Sequence, residues 1–375
     1  MKDAAMSAQQ PVGMRLIRVL HVGPGYGQRG GIASVLDELY AQRDAFANAS
    51  IQITFCGTHG FQNARDVAGF IWLDVARFLR AVWRVDVVHF HVSERGSFYR
   101  KLLLWRIAKL LRRRVVFHLH SGNFDRFADR AGPLTRRAVA WFVGGADAAV
   151  GVSAACTRVL NRFRRGGADA RVIANTAVNA QNAATPGGVA AVAARPYIAF
   201  AGRLSEQKGL ATLIDALALL NRNQCAIDLV LAGDGDTRRW RDYAQSQGVA
   251  DRVQFAGWLT GSGKSRFYRE ATLFCLPSRF ESFGIAALEA MFHGVPVVAT
   301  RVGGLSELVD DGVTGYLVEA DDATALARCV HDIARDRALR ERMGQAARER
   351  AHRLYTTEKI VAGYVDCYRQ LAGGS

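Results

Sequence analysis

Two glutamates, Glu281 and Glu289, are eight positions apart where a loop is expected to lead into a helix. Pro277 and Gly284 mark the loop, and Ile285–His293 is the predicted helix. Glu281 then lies near a helix N-terminus, where free backbone N–H groups favour anions. Glu289 lies in a largely apolar run, where a carboxylate needs a partner. This pattern suits a ligand with hydroxyl and phosphate groups. One capping and one solvated glutamate is the structural alternative.

A second group of candidate residues follows the predicted strand Tyr197–Ala201. Here Arg203 and Lys208 are five positions apart, and Gly202 and Gly209 flank them. The arginine offers a planar fork for phosphate oxygens and the lysine offers a point charge. A solvated loop would seldom combine these residue types with flanking glycines, so the spacing predicts a phosphate site.

The loop after the first predicted strand is rich in glycine. Gly25, Gly27 and Gly30 have the spacing of the dinucleotide-binding fingerprint, in the expected strand-to-helix context. An NAD-dependent oxidoreductase is therefore the alternative function. However, such a site requires an acidic residue at the end of the second strand, and Phe55–Thr58 contains none. A plain glycine turn is the structural alternative.

Four histidines lie on two predicted strands of the first half. Within Val115–His120, alternation places His118 and His120 on the same face. His89 and His91 repeat this spacing on the preceding strand, and we interpret them as mainly structural or as contacts for the acceptor. A lone histidine on such a face is usually a hydrogen-bonded core residue.

Both halves of the chain alternate short β-branched runs with amphipathic segments, which is typical of parallel α/β sheets. With 375 residues, the chain suits two domains. We predict an α/β fold with two doubly wound Rossmann-like domains that face each other across a cleft. The first domain spans 1–180 and the second spans 195–356, joined by a linker at 179–195. The C-terminal helix 357–375 is predicted to pack back on the first domain.

The excess positive charge lies in the first half. Residues 1–195 contain 27 Lys+Arg and 12 Asp+Glu, whereas residues 196–375 contain 22 of each, so the first half carries the whole net charge of +15. Clusters occur at Arg100–Lys101, Lys109–Arg114 and Arg162–Arg165. A basic face suits an anionic membrane surface or a phosphate-bearing acceptor. Nucleic acid ranks last because no nucleic-acid-binding motif accompanies the charge.

Other features predict a protein made and kept in the cytoplasm. The first dozen residues lack an apolar signal core, and no stretch is long and apolar enough for a membrane span. The six cysteines are scattered without metal-ligand or redox spacing. No Asp-x-Asp motif or histidine–carboxylate group lies near the candidate phosphate loops, so no metal and no cofactor are expected.

The spacing of Glu281 and Glu289 resembles the E-x7-E motif of retaining GT-B glycosyltransferases of the glycosyltransferase 4 family. Residues 202–209 are similar to the family's G-R-x-x-x-x-K-G signature, and Gly303–Glu307 to its G-G-x-x-E turn. A serine at 282, where the family often has glycine, is the one departure. The resemblance implies transfer of a sugar from a nucleoside diphosphate sugar, UDP- or GDP-linked, to an acceptor hydroxyl.

The resemblance also implies the roles of particular residues. It assigns catalytic roles to His120, Arg203, Lys208 and Glu281. It assigns donor binding to Gly30, Gly31, Gly202, Arg203, Lys208, Gly257, Trp258, Leu259, Glu281, Phe283, Gly284, Ile285 and Glu289. The acceptor expected from the family is a lipid-linked or growing cell-surface saccharide. We therefore expect peripheral binding at the inner face of the cytoplasmic membrane, through Lys109, Arg112, Arg113 and Arg114.

Overall fold

The computed structural model describes residues 15–25, 28, 30–60, 63–164, 168–177 and 195–373. Of the sequence predictions, Gly27, Arg165 and nearly all of the linker lie outside the described residues. The chain divides into two compact units. Unit 1 comprises Met1–Asn175 together with Glu358–Ser375, and unit 2 comprises Thr176–Thr357.

Unit 1 is built on a parallel sheet with the strand order β2-β1-β3-β4-β5-β6. Its strands are β1 Ile17–Pro24, β2 Ile51–Thr58, β3 Val87–Val92, β4 Arg114–Leu119, β5 Ala148–Gly151 and β6 Arg171–Val172. Its helices are α1 Gly31–Ala41, α2 Arg43–Asn48, α3 Ala64–Gly69, α4 Val75–Val82, α5 Gly96–Leu110, α6 Phe124–Asp129, α7 Pro133–Gly145 and α8 Ala154–Asn161, with a π-helical turn at Phe70–Asp74.

Unit 2 contains a second parallel sheet, in the order β12-β11-β10-β7-β8-β9. Its strands are β7 Tyr197–Ala201, β8 Asp228–Ala232, β9 Val253–Gly257, β10 Leu273–Leu276, β11 Val297–Thr300 and β12 Gly315–Val318. Its helices are α9 Leu210–Arg222, α10 Thr237–Ser246, α11 Gly261–Arg269, α12 Ile285–Phe292, α13 Leu305–Leu308, α14 Ala323–Arg335 and α15 Arg337–Leu354, and α16 Thr357–Gly373 begins at its end.

The strands form where the sequence has short apolar runs. All six residues of β3 are buried, as are all of β8 and β10. Parallel strands are covered by helices on both faces, so they require continuous hydrophobic runs rather than alternation. The predicted strands Val115–His120 and Tyr197–Ala201 agree with β4 and β7 within one residue, and the α/β prediction is confirmed.

In each sheet, one strand is the point at which the strand order reverses, so that later strands are added toward both edges of the sheet. In unit 1 this strand is β1, which lies between β2 and β3. In unit 2 it is β7, which lies between β8 and β10. Ligands of doubly wound sheets bind beyond the carboxyl ends of strands at such a switch point. The loops after β1 and β3, and those after β7 and β10, are therefore the first places to look for a site.

The last helix, α16, belongs to unit 1 from Glu358 onward. Its Tyr364 and Tyr368 are buried, and both rings lie against histidines of the first sheet. Among the helices of the described residues, none combines the length and the apolar character needed to cross a bilayer.

Candidate active site

At the switch point of unit 2, two loops bring opposite charges together. Nζ of Lys208 lies 2.5 Å from Oε2 of Glu281. Lys208 ends a 3-10 turn after β7, whereas Glu281 lies in the loop between β10 and α12. The side chains are 27% and 12% exposed, so the pair is partly open to solvent. Arg203, in the same loop as Lys208, is exposed.

A glycine holds the Lys208 loop against its neighbour. Gly209 has a φ of +71°, and a Cβ there would lie 1.9 Å from the carbonyl oxygen of Pro277. The backbone N–H of Arg279 also donates to the oxygen of Gln207 at 2.9 Å. A larger residue at 209 would push the two loops apart. The glycine of the sequence signature therefore places Lys208 beside Glu281.

The Gly303–Gly304 turn supports Glu281 from behind. The N–H of Gly304 donates to the backbone oxygen of Glu281 at 3.2 Å. A Cβ on Gly303 would lie 1.8 Å from that same oxygen. The two glycines are required because the backbones touch, and they fix the position of the loop that carries Glu281.

Glu289 lies on α12, whose N-cap is Gly284 and whose first residue is the half-buried Ile285. Its carboxylate forms an ion pair with Lys264 and accepts a hydrogen bond from the Tyr268 hydroxyl at 2.7 Å. Burial raises the pKa of Tyr268, and the Glu289 charge adds to this effect. The carboxylate thus has the partner that its apolar setting demands. Sequence reasoning missed both partners, although their spacing of four residues on α11 places them on one helix face.

Phe283 and the segment after β9 contribute in other ways. The ring of Phe283 is buried against Tyr355, with ring centroids 5.5 Å apart. Its side chain therefore packs inside unit 2, and its backbone is the part that can contact a ligand. Gly257 ends β9, Trp258 is 43% exposed and Leu259 is half-buried.

In unit 1, the loop after β1 leads into α1, and Gly30 and Gly31 are exposed at the helix N-terminus. The end of β2 packs against this loop, since the side-chain amide of Gln28 donates to the backbone oxygen of Thr58 at 3.2 Å, and the Thr58 hydroxyl donates to the backbone oxygen of Gly23 in β1 at 2.9 Å. The position where a dinucleotide site would hold a ribose is thus occupied by a threonine that already has a backbone partner. This geometry does not favour the NAD alternative.

The histidine cluster of unit 1 is larger than the sequence predicted. It comprises His21, His89, His91, His118 and His120. The register of the sheet pairs His21 with His89 and His91 with His118, which places rings from three neighbouring strands together. The ring centroids of His118 and His120 are 4.2 Å apart, as expected for one face of a strand. His21 was missed because only the lateral order of strands reveals it.

His120 differs from the other four rings because it alone is partly exposed. It directly follows β4, at the carboxyl edge of the sheet. Burial, with a smaller contribution from the nearby Lys101, lowers the pKa of His120 to about 3. Lys101 is itself buried, its Nζ donates to the Ser97 hydroxyl at 2.9 Å, and burial lowers its pKa to about 7. His120 is therefore a neutral ring at physiological pH.

Three rings of the histidine cluster also have the composition of a metal site. One nitrogen from each of His89, His91 and His118 lies within 4.8 Å of the others. The sequence predicted no metal near the phosphate loops, and these histidines belong to a different unit from Arg203 and Lys208.

Two family descriptions match the chain. "Glycosyl transferases group 1" matches residues 189–350, and "Glycosyltransferase Family 4" matches residues 38–177. An uncharacterized glycosyltransferase of Methanocaldococcus jannaschii is 36% identical over 174 residues, which are 46% of this chain and 44% of that protein. The phosphatidyl-myo-inositol mannosyltransferase of Mycobacterium leprae is 34% identical over 177 residues, which are 47% of this chain and 46% of that protein. The matched part thus spans a little under half the length of these relatives.

Among solved structures, Anabaena HepE in complex with UDP and glucose superposes with a TM-score of 0.75. The superposition covers 94% of this chain and 100% of HepE, at 21% identity, and shows the GT-B fold. The two family matches, the two parallel six-stranded sheets and this superposition agree, and the chain belongs to the glycosyltransferase 4 family, the glycosyl transferases group 1.

Proposed function

We propose that this protein is a retaining glycosyltransferase that moves a sugar from a nucleoside diphosphate sugar to an acceptor hydroxyl. The observation that carries the proposal is the arrangement at the switch point of unit 2. There Arg203 and Lys208 supply two cations, and the carboxylate of Glu281 contacts the second of them. Cations suit a diphosphate, and a carboxylate suits the hydroxyls of a sugar.

The roles follow from the chemistry of each group. Arg203 and Lys208 bind the diphosphate and stabilise the charge that develops as it departs. Glu281 accepts a hydrogen bond from a hydroxyl of the donor sugar, and Glu289 accepts hydrogen bonds from the ribose hydroxyls. The neutral ring of His120 is assigned to the donor sugar, as the family resemblance implies. The resemblance also implies that a phosphate oxygen of the donor, rather than an enzyme base, takes the acceptor proton.

UDP is the first nucleotide to test because HepE, which shares the fold, is described with UDP and glucose. A ligand that binds only the native state raises the unfolding temperature by mass action. We expect one of UDP, GDP and ADP to stabilise the protein in a thermal-shift series. The matching sugar donor should then be hydrolysed or transferred slowly with release of that nucleotide and retention at the anomeric carbon. Equal, negligible shifts with all three nucleotides would contradict the proposal.

We further propose a lipid-borne acceptor, but through a different surface from the one that the sequence suggested. In the Lys109–Arg114 cluster, Lys109 and Arg114 contact Asp147 at 3.0 and 3.4 Å. Arg113 donates to the backbone oxygen of Trp83 at 3.1 Å. Intramolecular partners therefore use part of this charge, which weakens its attraction for a membrane.

The segment from the π-helical turn through α4 to Arg84 is better suited to a bilayer. It exposes large apolar side chains together with arginines. We call it the α4 surface, and its exposed residues are Ile71, Trp72, Leu73, Arg77, Leu79, Arg80, Trp83 and Arg84. Trp72 is 76% exposed and Trp83 is 63% exposed. Tryptophan and leucine enter the interfacial region of a bilayer, and arginine is attracted to anionic headgroups.

A groove lies beside this surface. It has a volume of about 710 Å³ and is lined by Arg18, Arg77, Arg80 and Arg84, with Gln52 and Thr54 among the polar residues. Four guanidinium groups around one groove suit the phosphate of a lipid headgroup or of a lipid-linked diphosphate. The mycobacterial relative is named for a phospholipid acceptor, which supports this class of acceptor.

A further inference from the structure

Five histidines and one tyrosine of unit 1 form a continuous hydrogen-bonded chain. It runs from His120 at the edge of the sheet to His118 in the core. The contacts are His120 Nε2 to His91 Nδ1 at 2.9 Å, His91 Nε2 to His21 Nδ1 at 2.9 Å, His21 Nε2 to Tyr368 Oη at 3.1 Å, Tyr368 Oη to His89 Nδ1 at 2.8 Å, and His89 Nε2 to His118 Nδ1 at 3.0 Å.

The rings of this chain are neutral. Burial lowers the pKa of His21 to about 3 and lowers the pKa of His89 and His91 far below the ordinary value. Among the described residues, the histidines within ion-pair distance of a carboxylate are His59 and His331, and neither belongs to this hydrogen-bonded chain. The nearest cation, Lys101, also disfavours a charged His120. Each ring therefore carries one N–H donor and one bare acceptor nitrogen.

Neutral rings couple all the contacts to one another. Each contact holds one hydrogen, and each ring donates through one nitrogen and accepts through the other. The Tyr368 hydroxyl likewise donates to one neighbour while it accepts from the other. Once the nitrogen that carries the hydrogen is known for the ring at one end, the tautomer of every other ring in the series is determined.

The buried end of the chain selects the direction. Nδ1 of His118 lies 3.0 Å from Nε2 of His89 and 3.5 Å from the Tyr364 hydroxyl, so a bare Nδ1 can accept hydrogen bonds from both, whereas an Nδ1–H could donate to only one of them. The backbone of Ile173 raises the pKa of His118, which is the effect of a carbonyl oxygen on a ring N–H. With the proton on Nε2 of His118, every contact donates toward the core. Nδ1 of His120 is then left as a bare acceptor.

We propose that Tyr368 is a positioning residue that acts through His21 and His91 to lock His120 in the Nε2–H tautomer. His120 then presents Nδ1 to a substrate hydroxyl as a hydrogen-bond acceptor. This inference rests on the proposed function for the role of His120, although the lock itself does not. The far end of the chain is buried, since His118 and Tyr368 are inaccessible to solvent. The chain thus orients and polarises His120 rather than releasing a proton to water.

The distances favour hydrogen bonds over a shared metal ion. A zinc ion binds imidazole nitrogen at about 2.1 Å, so the nitrogens of a tetrahedral site would lie roughly 3.4 Å apart. The paired nitrogens of His89 and His118 are 3.0 Å apart, and those of His91 and His120 are 2.9 Å apart. These values are ordinary hydrogen-bond lengths. Both nitrogens of His91 already have ring partners.

The test is long-range ¹⁵N–¹H NMR of the histidine rings, which distinguishes protonated from bare ring nitrogens. In the wild-type protein we expect Nε2 of His120 to be protonated and Nδ1 to be bare. Tyr368→Phe removes the hydroxyl that joins His21 to His89, so we expect a mixture of tautomers at His120. Tyr99→Phe is the control in the same unit, because its hydroxyl contacts Thr135 and lies outside the hydrogen-bonded chain. It should leave the His120 signals unchanged.

Kinetics provide a second readout. In Tyr368→Phe we expect kcat to fall about fivefold to tenfold, the size of one lost hydrogen bond, with the donor KM unchanged. His21→Phe interrupts the chain from β1 and should give the same signature if Tyr368→Phe does not fold.

Two results would overturn the inference. One is a His120 tautomer that is the same in wild type, Tyr368→Phe and His21→Phe. The other is a stoichiometric transition metal bound to these rings in the purified protein, detected by elemental analysis. If no nucleoside diphosphate binds but the tautomer still depends on Tyr368, the lock is supported and the proposed function is overturned.

Discussion

Lys208 and Glu281 form an ion pair at 2.5 Å although 73 residues separate them in the chain. The pair exists because their loops follow neighbouring strands, β7 and β10, at the switch point of the second sheet. Both side chains are partly exposed, so the pair adds little to stability, at most about 1 kcal/mol. A diphosphate can therefore draw Lys208 away from Glu281 at small cost, which frees the carboxylate for a sugar hydroxyl.

The first prediction concerns the two cations. We expect Arg203→Ala to weaken nucleoside diphosphate binding about tenfold to a hundredfold, because a hydrogen bond to a charged group contributes roughly 1.5–3 kcal/mol. Lys208→Ala should weaken binding similarly and slightly lower the unfolding temperature, because it also leaves Glu281 without its partner. Isothermal titration calorimetry and thermal unfolding measure the two effects.

Arg238→Ala is the control for these variants because Arg238 is exposed on α10 in the same unit. It should bind nucleotide as the wild type does. Wild-type affinity in both Arg203→Ala and Lys208→Ala would remove the diphosphate assignment.

The second prediction concerns Glu289 and the ribose. We expect Glu289→Gln to weaken donor binding, because a neutral amide accepts hydroxyl hydrogens less strongly than a carboxylate. The affinities of UDP and 2′-deoxy-UDP, or of the pair with the preferred base, measure the contact directly. The wild type should prefer the ribonucleotide, and Glu289→Gln should lose most of that preference.

Tyr268→Phe is the control for this prediction. It removes one hydrogen bond to Glu289 but keeps the carboxylate, so the ribose preference should persist. A ribose preference of the same size in the wild type and Glu289→Gln would leave Glu289 with a structural role in its contacts to Lys264 and Tyr268.

The sequence was sufficient for the sheets but not for every contact at their edges. Runs such as Leu273–Leu276 are apolar throughout, which predicts a buried parallel strand without knowledge of its neighbours. By contrast, the contact between His21 and Tyr368 joins residues 347 apart. It depends on which strands are adjacent and on where the last helix docks, and no local pattern records either. For the same reason the partners of Glu289 emerged only from the packing of α11 against α12.

The third prediction concerns the α4 surface. We expect the wild-type protein to float with anionic vesicles at low salt and to dissociate at high salt, because the arginine contribution is screened. Exchange of Trp72 and Trp83 for serine should abolish flotation at any salt concentration, because it removes the apolar contribution. Exchange of Arg77, Arg80 and Arg84 for glutamine should abolish flotation at low salt, as high salt does for the wild type.

Matched changes elsewhere test whether the effect is local. Leu134→Ser alters an exposed apolar residue on α7, and Arg342→Gln alters an exposed arginine on α15. Neither should change flotation. Wild-type protein that stays unbound with anionic vesicles at low salt would end the membrane proposal, and equal flotation of all variants would place the contact on another surface.

The last prediction is a loss of stability in mild acid caused by the histidine cluster. In the unfolded chain these rings titrate near pH 6.5, whereas in the folded protein the pKa of His21 is about 3. Between these values the unfolded state binds more protons, so the free energy of unfolding falls as the pH decreases. The stabilisation is complete above pH 6.5 and is lost progressively toward pH 3. Each buried ring contributes a slope of up to about 1.4 kcal/mol per pH unit.

Urea unfolding at several pH values should show this slope. His21→Phe should reduce the slope, and His331→Gln, which alters a more exposed histidine, should not. A free energy of unfolding that stays constant from pH 7.5 to pH 5 would show that the rings are not held neutral, and the tautomer lock would lose its basis.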